Sequence, residues 1–128
     1  MAQRNVKYGY AFARFVVSDG VTVATQTLAD TSAIPLGAIM TSTTVIARGA
    51  IVSSGGSATV QVIAGGLTLT SLIAKAKLDT AGWVVRENVP EDATCISTGA
   101  DITLAIGTSA LDGGSEELDI IVEYILLD

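Results

Sequence analysis

The chain has 128 residues, nearly half of them apolar, with a formal net charge of −6, no histidine and one cysteine. That is one domain's worth of chain, long enough to bury a core without disulfides or metal. The composition excludes Ser-His-acid and Cys-His catalysis, a zinc site of the usual ligand sets and an internal disulfide framework, and its acidity argues against general nucleic-acid binding. No uninterrupted apolar run reaches the roughly 18 residues of a membrane helix, and Tyr8, Gly9 and Tyr10 interrupt the place where a signal peptide needs its apolar stretch. A soluble chain made in the cytoplasm is expected, with no membrane partner.

In chain order, residues 1–8 read as a basic arm carrying Arg4 and Lys7, and residues 9–128 as one β domain. Residues 9–18 form the first strand, with Tyr10, Phe12, Arg14 and Val16 on one face and Ala11, Ala13, Phe15 and Val17 on the other. Two apolar faces on one strand predict cover on both sides, by the domain itself or by a neighbour. Ser18, Asp19 and Gly20 signal a turn before a Val/Thr-rich strand at 21–28. Pro35 introduces a strand over 38–48, with Ile39, Val45 and Ala47 expected on one face. Residues 57–64 alternate cleanly between Gly55-Gly56 and Gly65-Gly66, which read as hairpin glycines because neither pair leads into a Lys-Ser/Thr helix start.

Residues 69–79 place Leu69, Leu72, Ile73 and Ala76 at helical spacing, which predicts a short helix or an irregular excursion between sheets. Residues 83–89 and 93–97 read as strands split by Pro90, with Trp83 and Cys95 expected in the core. Residues 101–106 point Ile102, Leu104 and Ile106 inward. Residues 117–127 form the last strand, with Leu118, Ile120, Val122, Tyr124 and Leu126 on one apolar face and Asp119 and Glu123 on the other. Val60, Val62, Ile102, Leu104, Ile120 and Val122 are the predicted core. Short strands, Gly turns and at most one short helix spell an all-β, single-domain antiparallel sandwich, jelly-roll-like if its strands return in Greek-key fashion.

The carboxylate pairs Glu91-Asp92 and Glu116-Glu117 lie beside turn signals and read as solvated loop charge, and the acidic loop 112–117 lacks calcium-loop spacing. No catalytic residue, cofactor or metal is expected. Charge is uneven: residues 1–14 hold Arg4, Lys7 and Arg14 and no acid, whereas Asp112, Glu116, Glu117, Asp119, Glu123 and Asp128 crowd the end without a base. A basic arm meeting an acidic strand, on this subunit or a neighbour, makes Arg4, Lys7, Phe12, Phe15, Val17, Asp119 and Glu123 the candidate interface.

The stretches IPLGAIMTSTTVIARGAIVSSGGSATVQVIAGG (34–66) and DITLAIGTSALDGGSEELDIIVEYILLD (101–128) resemble small tailed-bacteriophage virion structural proteins of the capsid decoration, or cement, type. The resemblance rests on a Pro-Gly lead into a strand, a Ser-Ala-Thr strand with alternating Val and a final Val-Glu-Tyr strand; residues 69–79 have no counterpart in it. It implies a jelly-roll-like fold and a non-enzymatic protein on the capsid surface. Self-association as a trimer is expected from the two apolar faces of the first strand and from the symmetry of positions on a shell, with the major capsid protein or another virion protein as the further partner. A receptor- or sugar-binding module of a tail or fibre, or a head–tail or tail component, is the competing expectation.

Overall fold

The computed structural model describes residues 5–17, 23–28, 30–53, 57–89, 95–112 and 116–127. Arg4, the turn at Ser18, Asp19 and Gly20, the pairs Gly55-Gly56, Glu91-Asp92 and Gly113-Gly114, and Asp128 lie outside them. The described residues form ten strands: β1 (Val6–Val16), β2 (Thr25–Thr27), β3 (Asp30–Thr31), β4 (Ile39–Ala47), β5 (Thr59–Ala64), β6 (Leu67–Thr68), β7 (Ile73–Ala74), β8 (Val84–Asn88), β9 (Ile102–Gly107) and β10 (Glu117–Leu127). One sheet runs β3-β1-β10-β4-β8 and the other β2-β9-β5-β6, with β7 also on β5. With the two-residue β3 and β7 set aside, the pairings are nested: β1 with β10, β2 with β9, β4 with β8 and β5 with β6. A long antiparallel ribbon rolled into two facing sheets has this order, which is the jelly roll. The protein is an all-β, single-domain sandwich.

The clean alternation of the sequence becomes the core. Ala11, Ala13, Phe15 and Val17 of the β1 segment face Val60, Val62, Ile102 and Leu104 across the sandwich, and Val45, Leu118, Ile120 and Val122 complete it. All six predicted core residues are buried. Each such side chain contributes about 1.5–3 kcal/mol relative to exposure. The β5–β6 turn is Gly65-Gly66 with φ +59° and +83°. Left-handed backbone at both positions of a two-residue turn explains why two glycines stand there.

Three expectations are corrected. Ile39 does not share a face with Val45 and Ala47. Ser42 pairs with Glu123 but Met40 with Tyr124, so Thr41 is an extra residue in β4. This bulge reverses the phase, burying Met40 before it and Thr43, Val45 and Ala47 after it. Residues 69–79 hold no α-helix: β7 is followed by a single 3₁₀ turn at Lys75–Lys77. Leu69, Ile73 and Leu78 are buried, whereas Leu72 is exposed, because the segment is pinned to β5 (Leu69 N–H to Val62 O, 2.9 Å) and follows the sheet margin. Trp83 is 48% exposed and Cys95 half-buried; Trp83 precedes the edge strand β8, which overhangs the core.

Thr43 is fully buried at mid-strand, and its hydroxyl finds no hydrogen-bond partner. A buried hydroxyl without a partner costs about 1–3 kcal/mol. Thr43→Val keeps the shape and removes the cost, so it is expected to raise stability by about 1 kcal/mol, seen as a rise of about 3–5 °C in melting temperature.

Candidate interaction surface

The two long strands β1 and β10 pair over eleven residues, so their outward side chains form two adjacent rows. Val6 lies opposite Leu127, Tyr8 opposite Ile125, Tyr10 opposite Glu123, Phe12 opposite Ile121 and Arg14 opposite Asp119. Ile39 of β4 extends the row beyond Ile125. The result is a largely apolar strip on the outer side of the first sheet, interrupted on β10 by Glu123. Tyr8 is 77% and Tyr10 68% exposed, and Val6 and Leu127 are also exposed. Isolated exposed apolar residues are ordinary, but a contiguous strip rich in tyrosine has the composition of an interface core.

Two ionic groups border the strip. At one end Arg14 grips Asp119 with both prongs, Nε to Oδ1 at 2.7 Å and Nη2 to Oδ2 at 3.2 Å. Arg48 Nη1 reaches the same Oδ2 at 3.2 Å, and Glu117 Oε2 lies 3.2 Å from Arg14 Nε. The Arg14 guanidinium also stands 5.6 Å over the Phe12 ring. Asp119 is 5% exposed, covered by these arginines. Toward β8, Ser42 donates to Glu123 Oε2 at 2.6 Å and Arg86 Nη2 to the same oxygen at 2.9 Å.

The Ser42 hydrogen bond first, and the Arg86 hydrogen bond and charge with it, hold the Glu123 carboxyl below the ordinary value of 4.5. A lowered carboxyl pKa stabilises the fold above the unfolded value, and that contribution is lost as pH falls through the folded one. The melting-temperature advantage of the wild type over Glu123→Gln is therefore expected to be full near neutrality and to shrink as pH drops below about 4.5.

The sequence-level interface residues are scattered by this geometry. Phe12 is half-buried on the outer strip. Phe15 and Val17 have the opposite phase and lie in the chain's own core. Asp119 and Glu123 are on the outer side, but internal arginines already neutralise them. Lys7 is exposed within β1, opposite Leu126, so the last residues of the basic arm belong to the strand. Sequence reasoning passed over Tyr8, Ser42, Arg48, Trp83 and Arg86. Tyr8, Tyr10, Phe12 and Arg14 share one phase, as do Asp119, Ile121, Glu123 and Ile125, and pairing these two phases was the available signal.

No family model matches the chain, and no curated protein matches it in sequence. In fold it is similar to a chain of the cyanophage Pam1 capsid asymmetric unit, with a TM-score of 0.62 at 18% identity over 96% of this chain and 86% of that one. It is also similar to a chain of the acid-stable capsid of Helicobacter pylori bacteriophage KHP30, with a TM-score of 0.54 at 14% identity over 98% of this chain and 97% of that one. The likeness spans nearly the whole of each chain and is one of fold: a small jelly-roll sandwich of a kind found in phage capsids.

Proposed function

We propose that this protein is a non-enzymatic structural component of a bacteriophage virion, a decoration or cement protein on the capsid surface. The observation that carries the reading is the tyrosine-rich strip of β1 and β10, a largely apolar surface that a free monomer leaves in water. The likeness to chains of two phage capsids supports the virion setting. Copies associate through the strip as a closed trimer, since a symmetric ring suits a symmetric position on a shell. The ring holds the major capsid protein or another virion protein through many weak contacts acting together. Arg4, with Lys7 at the exposed start of β1, draws this end of the chain toward acidic surface, an attraction that weakens as salt rises while the apolar contact does not.

Light scattering at micromolar concentration, followed by co-sedimentation with undecorated shells, tests this. A trimer that binds shells, and a Tyr8→Ser/Tyr10→Ser variant that is folded, monomeric and unbound, are the expected results. A monomeric wild type that ignores shells overturns the reading. The exposed rings of Tyr8 and Tyr10 specifically favour one alternative, a sugar- or receptor-binding module; a monomer retained on a host-glycan array, with retention lost in the same variant, establishes it instead.

A further inference from the structure

Among the described residues β8 closes the first sheet as an edge with no strand beyond it. The Ala47 N–H donates to Trp83 O at 2.9 Å and the Val89 N–H to Thr41 O at 3.0 Å. In an antiparallel ladder the bonding direction alternates, so odd residues 83–89 bond to β4 while Val84, Arg86 and Asn88 turn their N–H and C=O outward. The other described edge strands are blunted by shortness: β3, β6 and β7 have two residues and β2 three. β8 has five, with neither Lys nor Pro among them. Val84 is 56% exposed, and beside it opens a pocket of about 520 Å³ lined by Ala76, Lys77, Gly82, Trp83, Val84 and Val85.

We propose that this edge pairs with the β8 edge of a second copy, antiparallel across a two-fold axis, joining two five-stranded sheets into one. The charges of β8 choose the register. A two-fold perpendicular to the sheet keeps outer face with outer face, so facing residues share parity. Centring the axis on Arg86 or on Glu87 sets like charges directly opposite, which is destabilising. Centring it on Val85 sets Val85 against Val85 and Val84 against Arg86, and each Trp83 against Glu87 of the second copy. The Arg86 stem then covers the exposed Val84. The Glu87 carboxylate, which accepts from Ser71 Oγ of its own chain at 2.8 and 3.0 Å, comes beside the pocket whose rim carries Lys77, an opposite charge. Val84 and Arg86 of the two copies exchange main-chain hydrogen bonds, the strand-addition mode of recognition. This contact lies across the sheet from the β1 strip and stands without the assembly proposed above.

Cross-linking tests it. In a Cys95→Ser background, Val85→Cys forms a non-hydrogen-bonded cross-strand pair with its copy, Cα atoms about 4.5 Å apart and within disulfide reach. Glu87→Cys in the same background stands about 13 Å from its copy, four residues out of step. Mild oxidation is expected to give disulfide dimers on non-reducing denaturing gels at least tenfold faster for Val85→Cys. Adding Val84→Pro removes an outward N–H, which an edge strand tolerates, and is expected to suppress the dimer without loss of the folded circular dichroism spectrum. Val84→Lys, which leaves the backbone intact, does the same. Tyr8→Ser/Tyr10→Ser leaves the cross-link in place, which separates this contact from the trimer. Equal rates for the two cysteines, or a dimer indifferent to both Val84 variants, overturns the proposal.

Discussion

Val122→Asp yields no folded protein. Val122 sits at 0% exposure in the middle of β10, between Ala11 of β1 and Thr43 of β4. β10 is flanked by strands on both sides, and its inner face meets the second sheet, so water has no path to a carboxylate there. An unpaired buried charge costs several kcal/mol, and Lys7, the basic residue sharing that face on β1, is exposed and four residues from Val122's partner Ala11, too far to offset it. Domains of this size hold about 5–15 kcal/mol in total. Expression of Val122→Asp is expected to give insoluble material, or a soluble chain without a cooperative unfolding transition. Ile121→Asp, one residue away on the half-buried outer face, is the control and is expected to fold.

Asp119→Ala lowers stability by about 2–3 kcal/mol. The carboxylate is the shared acceptor for Arg14 and Arg48, and it is almost fully covered by them. Its removal takes away a bidentate, charge-assisted pair and leaves Arg14 and Arg48 side by side, with Glu117 balancing Arg14. The arginine side chains are 34% and 57% exposed, so water recovers part of the loss and keeps the figure below that of a sealed ion pair. In urea denaturation the midpoint is expected to fall with little change in slope, since the surface exposed on unfolding is the same. Asp119→Asn, which can still accept one hydrogen bond, falls between the two.

Strand phase was legible in the chain wherever one face was plainly wetter than the other. Residues 57–64, 101–106 and 117–127 became β5, β9 and β10, with their apolar phases inside. β1 was harder, because both of its phases are apolar. What decides the matter is size: small Ala11 and Ala13 fit between sheets, whereas Tyr8 and Tyr10 with their hydroxyls belong in water. Phe15 and Val17 share the inner phase of Ala11 and Ala13, and the surface strip belongs to the opposite phase, that of Tyr8, Tyr10 and Phe12. The bulge at Thr41 leaves no local mark, since Thr and Ser serve either phase; only the pairing with β10 exposes the extra residue. Trp83 misled because a large ring beside two valines reads as core, and an edge position is a property of topology that no short stretch carries. The ionic groups were half visible, with acids and bases countable but their pairing fixed by a register set over eleven residues.

The nested ribbon also sets an order of events during synthesis. β10 follows the other nine described strands in the chain, yet it lies inside the first sheet, between β1 and β4. Until Glu117–Leu127 leaves the ribosome, Val6–Val16 and Ile39–Ala47 have no common neighbour to bond, and the core side of Phe15 faces solvent. Domains whose pairings span most of the chain fold slowly, over milliseconds to seconds, because loop closure precedes any reward. The nascent chain therefore waits with two open strand edges, the condition in which β proteins associate wrongly. A copy cut short before Ile121 loses the middle of a sheet rather than its margin, so it has no near-native form to adopt. The first sheet therefore closes only once β10 has emerged, and a chain without it leaves β1 and β4 with bare edges and an uncovered inner face.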